Sequence, residues 1–267
     1  MIPDSTFLIP KLSPGFEATV TLPGSKSIAL RQLAIAALVE GTSHITGIPK
    51  CDDTDAMIDC LRALGVAIDE DTSGTRITGP MDFGSGHVEL NSRMSGASTR
   101  LLIALAALRN GSTRIDGHES LRVRTNAPLF EVLRDNGCDV TSDAGTLPAV
   151  IHGGLTSNGP LHIDGSLSSQ YITALTVIAP ILARRKALPT QGIHIHGDLV
   201  SRPYIDITLN EMGKRSVVGK WVDDTVLSLP AADYLPGEFF IEGDASAASY
   251  FLALATLHAG RVTLTNL

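Results

Sequence analysis

Hydrophobic and polar positions along this chain follow a pattern that recurs. Three stretches each place a short alternating run before a glycine turn and then a helical apolar spacing: "SHITGIPKCDDTDAMIDCLRALGVAI" (43–68), "TRIDGHESLRVRTNAPLFEVLRDNGCDV" (113–140) and "IHIHGDLVSRPYIDITLNEMG" (193–213). Alternation marks a half-buried strand, and apolar residues three and four apart mark one face of a helix. The turn glycines are Gly47, Gly117 and Gly197, so the unit returns every 70 to 80 residues. Such a period indicates a fold assembled from copies of one supersecondary unit.

A second recurring piece precedes each stretch, a strand running into a helix whose start is rich in Ser, Gly and Ala. The pieces are "FEATVTLPGSKSIALRQLAIAAL", "GHVELNSRMSGASTRLLIALAAL" and "GPLHIDGSLSSQYITALTVIAPIL", and the first helix reads as amphipathic. Further strands follow, such as "GTRITG" (74–79) and "PAVIHG" (148–153), and the third copy is stretched by "ARRKALPTQG". Within that copy "GKRSVVGKWVDDTVLSLP" breaks the helix-to-strand passage for no local reason. A fourth copy opens with "GEFFIEGDASAASYFLALATLHAGRVTLTNL".

Strands alternating with helices of this length predict an α/β fold, α+β by some schemes. The expected architecture is one pseudo-threefold domain of βαβαββ units plus the start of a second such domain. Pro and Gly break the pattern at Leu22-Pro23 and at Leu235-Pro236-Gly237. The expected divisions are therefore a strand in residues 1–22 belonging to the second domain, a three-repeat substrate domain over 23–236, and an incomplete second domain over 237–267.

Composition narrows the function classes. The 267 residues are 43% hydrophobic with no apolar run of membrane-spanning length, which predicts a chain that does not enter a membrane. The opening "MIPDSTFLIPKLSPGF" lacks the basic, apolar and small-residue succession of an export signal. Cys51, Cys60 and Cys138 are odd in number and without Cys-x-x-Cys spacing, which suits reduced thiols in a cytoplasm. Twenty-eight acids against 21 bases, a net charge of −7, argue against nucleic acid as a partner. His152, His162, His194 and His196 sit in strand-like runs without helix-borne metal spacing, so no metal is expected.

Against this acidic background, cations gather near helix starts. Ser25, Ser27, Ser98, Ser168, Ser169 and Ser246 all fall at or just before a helix start, where free N–H groups favour a cap or an anion. Each serine alone reads more readily as a cap. Lys26, Arg31, Arg100, Arg122, Arg124 and Arg202 lie beside these starts or the repeat turns, which predicts one electropositive cleft for anionic substrate groups. Asp244, in "EGDAS", reads either as a proton acceptor near a substrate hydroxyl or as an acid stabilised by a helix dipole. Gln170 reads as a ligand contact or a solvent-facing amide, and Tyr204 as packing or a contact.

Four motifs carry a resemblance: "LPGSKSIALR", "DGSLSSQYITAL", "GDLVSRPYIDITL" and "EGDASAASYFLA". Together, from about residue 16 onward, the chain resembles the enolpyruvyl transferases, and among them the 5-enolpyruvylshikimate-3-phosphate synthases. The sibling group acting on UDP-N-acetylglucosamine carries Asn after the first-mouth lysine, where this chain has Ser27. The resemblance implies two domains of three βαβαββ units each. It implies shikimate 3-phosphate held by Ser27, Arg31, Ser168, Ser169, Gln170, Ser201 and Tyr204, and phosphoenolpyruvate met by Lys26, Gly96 and Arg124. Lys26 and Asp244 are the implied catalytic groups, and no metal or organic cofactor is implied.

The chain departs from that family at the second helix start, which reads "RMSGASTRL": Met94 stands for Asn, Ala97 for Thr and Leu101 for Pro. The departures predict an altered response to glyphosate, the family's competitive inhibitor. Leu30, where members commonly show Asn, is a milder change. Members also continue well beyond the length of this chain. Three readings follow: a truncated transferase, a module that binds shikimate 3-phosphate without turnover, or half of a split enzyme. The apolar tail helix also predicts self-association.

Overall fold

The computed structural model describes residues 11, 15–156 and 159–267. Most of the opening segment read for an export signal lies outside the described residues. The chain divides into two compact units, one made of Glu242–Leu267 with the described part of Met1–Ser25, the other of Lys26–Ile241. The smaller unit opens with β1 (Glu17–Val20).

The larger unit contains three repeats. The first comprises α1 (Lys26–Ala36), β2 (Gly41–Thr46), α2 (Asp52–Ala63), β3 (Ala67–Asp71) and β4 (Gly74–Gly79). The second comprises β5 (Val88–Asn91), α3 (Gly96–Ala107), β6 (Ser112–Asp116), the short α4 (Glu119–Arg122), α5 (Ala127–Asp135), β7 (Asp139–Ser142) and β8 (Ala149–His152). The third comprises β9 (Leu161–Asp164), α6 (Ser169–Arg185), β10 (Thr190–His196), α7 (Arg202–Gly213), β11 (Lys220–Trp221) and β12 (Val226–Pro230), and β13 (Glu238–Phe240) follows.

Each repeat owns a four-stranded sheet of one topology. The second runs β5-β6-β8-β7 and the third β9-β10-β12-β11, with the first pair parallel and the rest antiparallel. In the first sheet the corresponding edge is β13, running parallel to β2 with Glu238 opposite His44 and Phe240 opposite Thr46. The strand "GEFF", read from sequence as the opening of a fourth copy, thus completes the first. The division falls after Ile241 for that reason, a few residues beyond Leu235-Pro236-Gly237. Periodicity identifies a strand but not the edge it joins.

The first helices of the three repeats, α1, α3 and α6, pack against one another. Residues Ile28 to Ala36 of α1 are all buried, including Arg31 and Gln32, so this helix is a core element and not an amphipathic surface one. The inward positions of β9 and β10, such as Leu161, Ile163, Ile193 and Ile195, are buried in the same core.

The segment that broke the pattern after α7 serves a buried cation. Arg215 donates to Gln32 Oε1 at 2.7 Å and to Ser43 Oγ at 2.8 Å, and its guanidinium lies over the Phe239 ring at 3.8 Å. Burial lowers its pKa to about 10, with the Glu211 carboxylate opposing the shift. Gln32 in turn donates to Glu211 at 2.6 Å, and Lys214 reaches the other Glu211 oxygen at 2.6 Å. A charge this deeply buried is tolerated only inside such a network. Beyond it, the chain turns into the β11–β12 hairpin.

In the smaller unit β1 runs parallel to β14 (Arg261–Leu264), and α8 (Ala245–Leu257) precedes β14. Ala248 is the buried residue of α8, whereas Tyr250 and Leu257 are nearly four-fifths exposed at 78% and 79%.

Candidate functional site

A cavity of ≈ 530 Å³ collects the helix starts of all three repeats. The first supplies Lys26, Ser27 and Arg31, the second Gly96 and Arg124, and the third Ser168, Ser169, Gln170, Ser201 and Tyr204. Asp53 lines it as well. The three helices start here because each is preceded by a strand end and a small polar turn, and their N-terminal ends, where the helix dipole favours an anion, meet the cavity.

Local geometry explains each placement. Ser168 is the N-cap of α6 in extended conformation, its Oγ accepting from the Gln170 amide at 3.2 Å, and the next serine, Ser169, is buried. Ser201 precedes α7 in the left-handed region at φ 57°, and its side chain makes no capping bond. That conformation costs a non-glycine residue about 1 kcal/mol, and among the described non-glycine residues that adopt it Ser201 is the one on the cavity wall. Gly96 opens α3 with little room: a Cβ there would stand 2.6 Å from Arg100 Nη1 and 3.3 Å from Arg124 Nη1.

Arg31 is fixed by four acceptors. It donates from Nε to Thr208 Oγ1 at 2.8 Å, from Nη1 to the Ser27 carbonyl at 2.7 Å, and from Nη2 to the Tyr204 carbonyl at 3.0 Å and to Thr173 Oγ1 at 3.5 Å. Burial lowers its pKa to about 10, partly offset by the Glu211 carboxylate, so it stays cationic at neutral pH. Its position joins α1 to the starts of α6 and α7.

Asp53 is the charged lining residue that the sequence reading missed, and Leu167, Thr173 and Val200 line the cavity unanticipated as well. Its carboxylate sits 3.3 Å from Lys26 Nζ and accepts from Ser95 Oγ at 2.6 Å. An acid in the first turn of α2 reads as a dipole-stabilised surface charge, and only the fold turns it toward Lys26. Ser98 is also displaced from its expected role: α3 starts at Gly96 with Ser95 as N-cap, which puts Ser98 inside the first turn, buried.

The expected gathering of six cations is reduced to three on the cavity wall, Lys26, Arg31 and Arg124. Arg122 instead forks onto Asp116 at 2.9 and 2.8 Å, and Arg202 pairs with Asp224 at 3.0 Å while stacking over Trp221. Arg100 is buried behind Gly96, donating to its carbonyl at 2.8 Å. Asp244 belongs to the smaller unit and caps α8, accepting from the amides of Ser246 at 2.8 Å and Ala247 at 3.2 Å. Three of the four strand histidines, His162, His194 and His196, cluster, with His162 stacked on His196 and their ring nitrogens 3.0 Å apart. Among the described residues no group of three or more His, Cys, Asp or Glu side chains is arranged to hold a metal ion.

Residues 13–267 match the family model of EPSP synthase (3-phosphoshikimate 1-carboxyvinyltransferase). The chain belongs to the EPSP synthase family. It is 41% identical over 254 residues to a 3-phosphoshikimate 1-carboxyvinyltransferase of Bordetella bronchiseptica, covering 92% of this chain and 57% of that relative. It is 37% identical over 256 residues to one of Photobacterium profundum, covering 93% of this chain and 59% of the other. An EPSP synthase structure from Acinetobacter baumannii shares the fold at a TM-score of 0.75 and 23% identity, covering 96% of this chain and 56% of that one. This member of the EPSP synthase family thus spans somewhat over half the length of the curated relatives it matches. Among its described residues no helix is long and apolar enough to cross a membrane.

Proposed function

We propose that the larger unit is the shikimate 3-phosphate half-site of a 3-phosphoshikimate 1-carboxyvinyltransferase working in the cytoplasm. The observation that carries this reading is the convergence of Ser168, Ser169, Gln170, Ser201 and Tyr204 with Lys26, Ser27 and Arg31 around one cavity. Hydroxyls, helix N-terminal dipoles and cations suit a phosphorylated polyol. Ser168, Ser169 and the positive end of α6 take the phosphate, while Gln170 and Tyr204 meet hydroxyls or the ring.

Phosphoenolpyruvate lies against Lys26, Gly96 and Arg124. The substrate 5-hydroxyl adds to C2 of phosphoenolpyruvate and loses its proton as C3 gains one, and the tetrahedral adduct then loses phosphate from C2 and a proton from C3, which re-forms the double bond as the enol ether. Lys26 and Arg124 stabilise the phosphate and carboxylate charge throughout, because preorganised cations need no rearrangement as charge develops. Residues corresponding to the rest of the relatives' length complete the site, so turnover belongs to the assembled enzyme.

A second reading, a partner or another copy of this chain seated on the smaller unit, draws on α8, whose apolar Tyr250, Leu252 and Leu257 are exposed. The departures Met94, Ala97 and Leu101 all line the cavity, which supports a glyphosate response different from that of sensitive relatives. The deciding experiment is calorimetric titration of the chain with shikimate 3-phosphate, followed by a phosphate-release assay with phosphoenolpyruvate. Binding without phosphate release is expected. Absence of binding would withdraw the half-site reading.

A further inference from the structure

Arg124 is an exposed residue in a short irregular stretch between α4 and α5, yet its guanidinium approaches Gly96 at the cavity wall. An exposed arginine carries much rotational freedom, and holding it at an anion site requires that its backbone be held first. The anchor is visible at the next peptide. The carbonyl of Thr125 accepts from the Tyr171 hydroxyl at 2.8 Å and from Arg100 Nη2 at 3.3 Å. Tyr171 belongs to α6 and is 3% exposed, and Arg100 belongs to α3 and is 6% exposed. The same guanidinium holds the Gly96 carbonyl through Nη1 at 2.8 Å and lies 5.9 Å from the Tyr171 ring centroid.

We infer that Tyr171 and Arg100 are positioning residues that clamp the Thr125 carbonyl and thereby aim Arg124 at the phosphoenolpyruvate side of the cavity. The inference rests on the proposed function and extends it to two buried residues outside the ligand shell. Two donors from two repeats converge on one carbonyl, beside the one cavity cation that the second repeat contributes. If Tyr171 were only filling core volume, its ring would suffice, and a hydroxyl buried at this depth would be a desolvation cost. Arg100 carries a second consequence. Its fixed charge stands close to Arg124, and burial followed by that like charge lowers the Arg100 pKa, while Tyr171 opposes the shift.

The test is a double-mutant cycle on the whole chain. Affinity for phosphoenolpyruvate is measured by calorimetry with shikimate 3-phosphate present, and sulfate serves as a second anionic probe. Tyr171→Phe, which removes one hydroxyl and keeps the ring, is expected to weaken phosphoenolpyruvate binding by about threefold to tenfold. In an Arg124→Ala background the same substitution is expected to change affinity by less than about twofold. Equal losses in both backgrounds would make the hydroxyl a general fold contact and overturn the inference, as would a Tyr171→Phe variant of unchanged affinity. If the unsubstituted chain binds shikimate 3-phosphate but neither phosphoenolpyruvate nor sulfate, the inference falls while the half-site reading stands. Failure to bind shikimate 3-phosphate removes that reading instead.

Discussion

The Arg31 guanidinium donates to the backbone carbonyl of Tyr204 at 3.0 Å, tying the first helix of repeat one to the second helix of repeat three. The same group holds Thr208 and Thr173, so the cavity wall is braced by one buried charge. Arg31→Lys keeps the charge but not the planar fork. It is expected to cost about 2 kcal/mol in urea unfolding and to weaken shikimate 3-phosphate binding by about tenfold. A lysine variant matching the parent in both measurements would remove the bracing role.

Ser168 and Ser169 are neighbours with separable tasks. Ser168 caps α6, and Ser168→Ala should cost about 1 kcal/mol of stability as well as affinity. Ser169 makes no capping bond and is buried against the cavity. Ser169→Ala should lose affinity for shikimate 3-phosphate with a melting temperature within about 2 °C of the parent. Differential scanning calorimetry beside ligand titration distinguishes the two.

Asp116 shows how acid acts on the second repeat. Its carboxyl is partly desolvated, but the Arg122 fork and the Gly117 amide at 2.8 Å outweigh that and hold its pKa below the ordinary 3.8. The folded carboxyl therefore binds its proton less tightly than the unfolded one, and the stabilisation present above about pH 4 is lost as pH falls through the folded value. Asp116→Asn should cost about 0.5–1 kcal/mol at pH 7, because Arg122 is half exposed and water screens the pair. The difference between parent and variant should shrink below about pH 4 in urea titrations.

The thiols give an alkaline counterpart. Burial raises Cys60 and Cys138 from 9.0 to about 12, with the Asn91 carbonyl contact opposing the shift at Cys60. Above pH 9 the unfolded chain ionises both thiols while the folded chain keeps them protonated, so stability should fall as pH rises from 9 toward 12. At neutral pH, iodoacetamide should label the partly exposed Cys51 and leave Cys60 and Cys138 unmodified until the chain unfolds, as read by peptide mass spectrometry.

What the sequence made legible was local. The Ser- and Gly-rich starts of α1, α3 and α6 are readable because a helix N-terminus is specified by a handful of adjacent residues. The convergence of three such starts followed from the repeat. Partnerships decided across long separations were not legible: β13 joining β2, and Arg215 entering the core. Asp53 was hidden for the same reason. Its place on the cavity wall depends on how α2 meets α1 and α3, and an acidic first turn reads identically in a helix facing water.

The pairing of β13 with β2 bears on how this protein is made. The edge of the first sheet stays open until residues 238–240 have been synthesised, although its other three strands are complete by Gly79. A nascent chain emerging from the ribosome therefore carries an unpaired parallel edge through the translation of two further repeats, exposed to misjoining and to chaperones. The last strand of this unit to leave the ribosome is the one that closes the first sheet, so the complete fold of the larger unit waits for the translation of its far end.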